Sequence, residues 1–446
     1  MRIAWCTPFG KKSAIGEFSA LVVSALRKLD LEVDIWYPRG AGGRTMPDHG
    51  RELAHESGPT LREYDAVVYQ IGDHVKNHGQ LLAASAEVPG IVVMHDVSLV
   101  HLFFPMLIGL THDERTELLV RLAPEFPEAS ADFAQDPSAW AWSANTAVSF
   151  PLSELAMHSA LAVVTHSQFA ANLFRDRYLG DISVLPLPVL HEPAGGNGTR
   201  LPPIDPDRPL ILQAGTLNAN KRIEEVIAGF ERSGSRSVAQ LVICGHGSQE
   251  EIDRLRERAR HLIADGDAIV LGSVSDEVLD ALRQRALVSM VLRHPSTEAS
   301  SAVLVDSMAY GNAVVAVDAG HYGEMPEDTI RLVAVPPDPD EIAAVIDSLV
   351  MDEAAARALG ARAAAFVTRE HTPDAYARAF VPIVRGVGGV VPRRWLVEEI
   401  AEAMVRTGFA ADHPLGSVAT EMAVELFGGT PRRPEALLHV PRTGSH

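Results

Sequence analysis

Short apolar runs alternate with segments of helical period along most of this chain. In the first half these runs are almost wholly apolar, which is typical of strands covered on both faces of a parallel sheet. The pattern predicts strands over residues 2–6, 32–36, 65–70, 90–95, 161–165 and 182–185. Helices are predicted between strands, at 15–29 for example, and another follows the strand at 161–165, over 168–178.

The alternation stops at a polar stretch and then restarts. Residues 191–208 are rich in proline and glycine, which is typical of a linker between domains. Beyond them, strands are predicted at 210–214, 241–244, 268–271, 287–292, 313–317 and 331–335. The chain is therefore predicted to be α/β, with two doubly wound Rossmann-like domains, residues 1–190 and 209–371, that face a common cleft.

The end of the chain departs from this alternation. Residues 372–446 are predicted to hold a crossing helix and a helical extension, with amphipathic helices at 395–406 and 415–427 and a possible homodimer contact. A second irregular stretch contains a predicted helix at 107–122 and, further on, Trp140 and Trp142. These two indoles either anchor a long loop to the core or form an aromatic platform for an acceptor.

Composition narrows the classes of partner. The 446-residue chain has a formal net charge of −19, which argues against a nucleic-acid surface and against docking on anionic lipid. No run has the length of a membrane span, and no secretory signal is expected. The two cysteines, Cys6 and Cys244, imply no disulfide framework, so a reducing, cytoplasmic location is expected.

The segment 293–311 contains the strongest candidate chemistry. A strand ends there, a loop with Glu298 follows, and a helix beginning near Ser300 carries Asp306 eight positions after the glutamate. Eight helical residues rise about 12 Å, and a helix N-terminus binds phosphate through free N–H groups. Acids at both ends of a diphosphate-sized gap suit a sugar nucleotide, which has hydroxyls on both sides of its phosphates. Taken alone, two such acids are also common as solvated surface residues.

Two further loops follow predicted strands in the second half. Gly215 lets the backbone approach a ligand, and Lys221 and Arg222 open the next helix, where positive charge is unfavourable unless an anion is near. An exposed lysine in a first helical turn is the alternative interpretation. The loop at Gly245 lacks the remaining glycine of a dinucleotide fingerprint, and the chain has no Walker motif.

The first half offers weaker candidates. His95 ends a predicted strand, where it would hydrogen-bond a sugar hydroxyl or move a proton, or else be tied to Asp96 or to a carbonyl. Gly16 would open the first helix and direct N–H groups at an anion, unless this loop is a plain strand-to-helix turn. No metal site is expected, since His74 and His78 lack a third ligand of matching spacing.

In their order along the chain, these motifs resemble glycosyltransferase family 4, whose members are retaining enzymes of the GT-B fold. The likeness covers about residues 209–385 and is weaker over 1–190. It rests on five matching segments: Gly215 with Lys221 and Arg222, residues 242–247, residues 271–276, Glu298 with seven residues before Asp306, and residues 308–311.

The resemblance implies site residues on both sides of the cleft. The implied catalytic residues are Glu298, which would hold hydroxyls of the transferred sugar, Lys221, which would bind the donor diphosphate, and His95, which would face the sugar. The other implied donor-binding residues are Gly16 near the diphosphate, Gly245 and Val274 beside the base, Asp306 at the ribose, and also Gly215, Arg222, Arg293, Ala299, Ser300, Ser301 and Ala302.

Two positions depart from the family pattern. The family often has arginine where this chain has Thr216, so Arg222 or Arg293 would have to supply the missing charge. It usually has glutamate where this chain has Asp306, and the shorter side chain needs a closer backbone to contact a ribose.

The implied activity is metal-independent, retaining transfer of a sugar from a nucleotide-diphosphate sugar to an unidentified acceptor. No cofactor is expected, because the nucleotide sugar is itself the donor substrate. Two alternatives stay open: a sugar-nucleotide epimerase, and a catalytically silent glycosyltransferase-like partner protein.

Overall fold

The computed structural model of the chain describes residues 1–9, 13–40, 50–122, 131, 134–135, 151–175, 177–178, 180–193, 199 and 201–389. The predicted helices at 395–406 and 415–427, and the tryptophans Trp140 and Trp142, lie outside these residues.

The first half of the chain forms a parallel sheet of seven strands in the order β3-β2-β1-β4-β5-β6-β7. The strands are β1 (Arg2–Cys6), β2 (Glu32–Pro38), β3 (Gly50–Leu53), β4 (Ala66–Ile71), β5 (Ile91–Met94), β6 (Ala162–Thr165) and β7 (Ile182–Val184). Every residue of β4 is buried, as expected for a central strand with both faces covered.

Helices lie on both faces of this sheet. Those described are α1 (Ala14–Arg27), α2 (Gly58–Leu61), α3 (Val75–Glu87), α4 (Val100–Ile108), α5 (His112–Leu122), α6 (Glu154–Met157) and α7 (Gln168–Arg175). Successive side chains of β1 alternate between two cores, with Ile3 and Trp5 on the α1 side and Ala4 and Cys6 on the other.

The second half forms a parallel sheet of six strands in the order β10-β9-β8-β11-β12-β13. The strands are β8 (Leu210–Ala214), β9 (Gln240–Cys244), β10 (Ala268–Gly272), β11 (Ala286–Val291), β12 (Ala313–Val317) and β13 (Ile330–Val333). The strand order reverses between β8 and β11, so the loops that follow these two strands flank the crevice where such sheets bind ligands.

The helices of the second half include two with well-defined N-terminal caps. Those described are α8 (Ile223–Arg232), α9 (Gln249–Arg258), α10 (Arg260–Ala264), α11 (Asp276–Arg285), α12 (Ala302–Ala309), α13 (Pro339–Met351) and α14 (Glu353–Glu370). A capping box starts α9, where Ser248 and Glu251 bond each other's backbone N–H groups. Asp338 caps α13, and Pro339 is its first residue.

One helix returns to the first half. In α15 (Pro373–Gly386), the ring of Phe380 lies 5.5 Å from that of Trp5, and the ring of Tyr376 lies 5.2 Å from that of Phe18. The two sheets are thus joined by the linker and by this packed helix. Among the helices described, none is long and apolar enough to cross a membrane.

Candidate functional site

The carboxyl ends of β5 and β11 meet across the two halves. Asp96, just after β5, and Glu298, in the loop between β11 and α12, form an antiparallel bridge. Two backbone bonds flank it: the amide of Val97 donates to the Thr297 carbonyl at 2.8 Å, and the amide of Ala299 donates to the His95 carbonyl at 2.8 Å. The loop that contains Glu298 is therefore fixed at the boundary between the halves.

Glu298 is a half-buried carboxylate with cationic neighbours. Its Oε1 accepts a hydrogen bond from the Tyr322 hydroxyl at 2.9 Å and lies 3.2 Å from Nε of Arg293. Burial alone would raise its pKa, but the charges of Arg293 and Lys221 outweigh burial and lower the pKa of Glu298 to about 2. This side chain is therefore an ionised acceptor of hydrogen bonds at neutral pH.

Lys221 is buried rather than exposed, which decides against the alternative interpretation of its sequence position. It ends the short 3₁₀ helix Ala219–Lys221 that follows β8, and only 4% of its surface is accessible. Its Nζ lies 3.9 Å from the position that a Cβ atom would occupy at Gly215. Burial, and then the charge of Arg293, lower the pKa of Lys221 to about 8, while Glu298 opposes them. A buried ammonium group is costly unless an anion compensates it.

The structure separates the two arginines proposed to replace the one missing at Thr216. The guanidinium of Arg222 is engaged elsewhere, because its Nε donates to the carbonyl of His294 at 2.9 Å and its Nη1 pairs with Glu225 at 3.0 Å. Arg293 instead pairs with Glu298 and acts electrostatically on Lys221. We therefore place the second cation of the site at Arg293, not at Arg222.

Gly215 and Gly245 are needed for the close approach of two loops. Gly245 has φ of 152°, and a Cβ there would lie 1.6 Å from the carbonyl oxygen of Gly215. The loops at β8 and β9 are further tied by the amide of Leu217, which donates to the His246 carbonyl at 2.7 Å. Val274, after β10, packs partly buried beside the core formed by β8 and β9.

The residues from Ala299 to Ala302 lead into α12. Ala299 is fully buried, and Ser301 is the N-cap, its side chain accepting from the amide of Leu304. Ser300 and Ala302 line a cavity of about 160 Å³ between the halves, together with His95, Asp96 and Glu298. The N–H groups at the start of α12 thus open beside the carboxylate of Glu298.

Gly16 packs α1 against the first loop. It lies inside α1, and its amide already donates to the N-cap Ser13 at 3.1 Å. A Cβ at Gly16 would stand 2.7 Å from the carbonyl oxygen of Pro8. This glycine therefore lets α1 pack against the first loop, and its own N–H group is not directed at an anion.

The imidazole of His95 is held within the protein. Its Nδ1 lies 3.2 Å from Nε2 of His166, whose Nδ1 lies 3.0 Å from the carbonyl of Leu185, and its Nε2 lies 2.8 Å from the amide oxygen of Gln70. A carbonyl only accepts, so His166 donates from Nδ1 and accepts at Nε2 from Nδ1–H of His95.

That tautomer also fixes the Gln70 amide. Nε2 of His95 is left as an acceptor, so Gln70 must present its NH₂ group there, which also gives a partner to a buried amide nitrogen that otherwise has none. Burial, and then the neighbouring His166, lower the pKa of His95 well below its usual value. Both ring nitrogens are therefore bonded within the protein, while the residue lines the cavity between the halves, and the expected contact between its ring and a sugar stays a prediction.

Asp96 is a candidate that the sequence suggested only as a partner for His95. One carboxylate oxygen accepts from the amide of Asp73 at 2.8 Å, and the residue lines the cavity opposite Glu298. Burial, with the carboxylates of Asp73 and Glu298 adding to it, raises the pKa of Asp96 to about 7. In the sequence, Asp96 could have been identified as a candidate site residue by its position directly after a buried strand.

Asp306 does not have the environment expected of a ribose ligand. It is 1% exposed, and its carboxylate accepts from the amides of Leu190 and His191 at 3.0 and 3.1 Å and from Nδ1 of His191 at 2.7 Å. Arg283 lies 3.4 Å away. In this structure the short side chain thus binds the linker, and the expected ribose contact stays a prediction.

Comparisons with known proteins find a family match over part of the chain. Residues 200–366 match the sequence pattern of the family described as "Glycosyl transferases group 1". A curated relative, an uncharacterized glycosyltransferase of Methanocaldococcus jannaschii, is 30% identical over 151 residues, which is 33% of this chain and 37% of the relative. The match thus spans little more than a third of that relative's length.

Solved structures with the same fold cover most of the chain. Sucrose-phosphate synthase from Thermosynechococcus elongatus superposes with a TM-score of 0.61 at 16% identity, covering 86% of this chain and 98% of that one. HepE of Anabaena, solved with UDP and glucose, gives 0.58 at 15% identity, covering 86% and 99%. WaaG, a glycosyltransferase involved in lipopolysaccharide biosynthesis, gives 0.55 at 14%, covering 86% and 100%. The two sheets are therefore arranged as in glycosyltransferases of the GT-B fold.

Proposed function

We propose that this chain, whose residues 200–366 are a glycosyltransferase group 1 domain, transfers a sugar from a nucleotide-diphosphate sugar to an acceptor with retention of configuration and without a metal ion. The proposal rests on the excess of positive charge at the site. Two cations, the buried Lys221 and the half-buried Arg293, face one fully ionised carboxylate, Glu298. Asp96 adds only a partial negative charge at neutral pH. A diphosphate is the kind of ligand that would balance the excess positive charge.

The same groups provide the chemistry of transfer. When the bond between the anomeric carbon and the phosphate oxygen breaks, the electron pair stays on the diphosphate. Lys221, Arg293 and the N-terminal N–H groups of α12 stabilise that charge, which removes the need for a divalent cation. Glu298 accepts hydrogen bonds from hydroxyls of the sugar and holds the anomeric carbon in place.

Retention follows from attack on the face that the diphosphate leaves. The acceptor hydroxyl bonds to the anomeric carbon on that face, and its proton passes to the departing phosphate oxygen. Asp96, which faces Glu298 across the bridge between the halves, is placed to hold the acceptor. HepE of Anabaena was solved with UDP and glucose, which supports a uridine nucleotide as the first donor class to test.

The experiment is a donor screen by thermal stabilisation, followed by product analysis. A matching nucleotide sugar at 100 times its Kd should stabilise the protein by about 2.7 kcal/mol, visible as a rise in Tm. The anomeric configuration of the product is then read by NMR. An epimerised donor formed without acceptor would indicate the epimerase, and no stabilisation by any nucleotide sugar would indicate the silent partner protein.

Donor binding should also depend on pH through Lys221. Its pKa of about 8 lies below the ordinary value, so the ammonium that pairs with a diphosphate is lost as the pH rises through 8. We expect the Kd for UDP to rise by about tenfold per pH unit above that point, until binding no longer depends on Lys221. Calorimetric titration from pH 6.5 to 9.5 measures this, and the Lys221→Met variant should lose the rise in Kd that starts near pH 8, keeping only the dependence caused by Asp96 and His191.

A further inference from the structure

His191, in the linker, bridges the two halves of the molecule. Its Nδ1 lies 2.7 Å from Oδ2 of Asp306, on α12 of the second half. Its Nε2 lies 3.4 Å from Oε2 of Glu17, on α1 of the first half. One imidazole therefore joins an acid of each half at the point where the chain passes between them.

The Asp306 side of this contact uses the whole carboxylate. Oδ1 accepts the backbone N–H groups of Leu190 and His191, and Oδ2 accepts from the imidazole and faces Arg283 at 3.4 Å. A carboxylate has about four acceptor positions, so these three hydrogen bonds use most of them, and the guanidinium of Arg283 forms an ion pair with the same oxygen as the imidazole. Asp306 thus fixes two backbone amides of the linker as well as the ring that follows them.

The geometry also fixes the protonation of His191. Both ring nitrogens face carboxylates, which only accept when ionised, so both must carry hydrogen and the ring is an imidazolium. The charged groups around it are Asp306 from α12, Glu17 from α1 and Arg283 from α11. Hydrogen bonding to Asp306, then to Glu17, raises the pKa of His191 to about 9, although burial and Arg283 oppose it.

We propose that His191, Asp306 and Glu17 form an interdomain clamp, and that Asp306 supports donor binding by fixing the linker and the closed cleft rather than by contacting the ribose. The part that concerns the donor rests on the proposed function; the clamp itself does not. Aspartate suits this role because its carboxylate stays close to α12, within reach of the linker amides. A glutamate would place the carboxylate one methylene further out and lose both amide bonds.

The clamp should weaken in alkaline solution. The raised pKa of His191 means that its contribution is complete below the ordinary histidine value of about 6.5 and is lost as the pH rises through about 9. We therefore expect the cleft to open as the pH rises from about 6.5 to about 9.

The test uses Asp306→Asn and His191→Gln in the full chain, with His74→Gln as the matched control, since His74 is exposed and does not cap its helix through its side chain. Hydrogen–deuterium exchange is followed in the peptide that contains the amides of Leu190 and His191. Both clamp variants should exchange about tenfold faster or more there, because Asp306→Asn removes the charge of the acceptor, and His191→Gln removes the imidazolium that holds this carboxylate in place. Their radius of gyration by small-angle X-ray scattering should also increase, while the control should match the unmodified protein.

A comparison of UDP with 2′-deoxy-UDP then tests whether Asp306 contacts the ribose. The ratio of the Kd values for 2′-deoxy-UDP and UDP is measured in the unmodified protein and in Asp306→Asn. We expect the two proteins to give ratios within about twofold of each other. The loss of one charged hydrogen bond would change the ratio about tenfold. Exchange unchanged in both clamp variants, or a ratio that collapses in Asp306→Asn, overturns the proposal.

Two controls keep the outcomes separate. If Asp306→Asn fails to fold by circular dichroism, His191→Gln decides alone, because its ring is 42% exposed and lies at the surface of the linker. If UDP does not bind the unmodified protein, the proposed donor is rejected, whereas the exchange and scattering measurements still decide whether the clamp exists.

Discussion

Replacing Lys221 by methionine should lower kcat for sugar transfer by about 10²- to 10³-fold, the usual effect of removing one group that stabilises charge developing in a transition state. The buried ammonium lies beside Gly215 and next to Arg293, where negative charge would collect on the departing diphosphate. Steady-state kinetics with the donor found by screening measure the change.

The fold should survive this substitution. Methionine has nearly the volume of lysine without its charge, and removing a buried cation that faces another cation is neutral or stabilising. We therefore expect Tm to stay the same or rise while transfer is lost. Lys76→Met is the matched control, because Lys76 is exposed on α3. Full activity in Lys221→Met would contradict the site as we have assigned it.

The sequence could predict the sheets because their strands are nearly all apolar. The strands at Arg2–Cys6, Leu210–Ala214 and Ala313–Val317 have the predicted bounds. The edge strand Gly50–Leu53 was not predicted, since its sequence Gly-Arg-Glu-Leu has one apolar side chain and only one neighbouring strand. An edge strand buries little, so hydrophobic periodicity carries almost no signal of it.

Side-chain partners were harder to predict than side-chain positions. The spacing predicts that Asp306 lies on a helix after Glu298. It does not predict that Asp306 bonds the linker amides of residues 190 and 191, which lie more than a hundred positions earlier in the chain. Likewise, Arg222 and Arg293 were equivalent candidates in the sequence, and only the carbonyl of His294 and the carboxylate of Glu298 distinguish them. These contacts depend on tertiary packing between segments far apart in sequence, which local pattern does not encode.

Three residues that the resemblance implies at the site share one feature of their surroundings. His95, Gly16 and Asp306 each direct hydrogen-bonding groups at the protein itself, toward His166, Ser13 and His191 respectively. Their expected contacts with the donor stay predictions. Lys221, Arg293 and Glu298 remain as the charged groups that face one another at the boundary of the two halves.

Replacing Glu298 by glutamine should separate nucleotide binding from transfer. Glutamine keeps the shape of the side chain and an oxygen for the Tyr322 hydroxyl, but it removes the negative charge that Arg293 and Lys221 share. The site gains one net positive charge, so UDP should bind as tightly as before or more tightly. Transfer should fall by about 10²-fold, because hydrogen bonds from sugar hydroxyls to a charged acceptor are worth about 1.5–3 kcal/mol.

Calorimetry with UDP and steady-state kinetics with the complete donor measure the two effects on the same preparation. An equal loss in both would mean that the substitution damages the whole site, and an unchanged kcat would mean that Glu298 does not hold the sugar. Glu250→Gln, an exposed position in the first turn of α9, controls for the loss of one negative charge elsewhere on the chain. Glutamine leaves Lys221 and Arg293 without their anion, so Tm should fall in Glu298→Gln. It should recover when UDP is added, because the diphosphate supplies the missing negative charge.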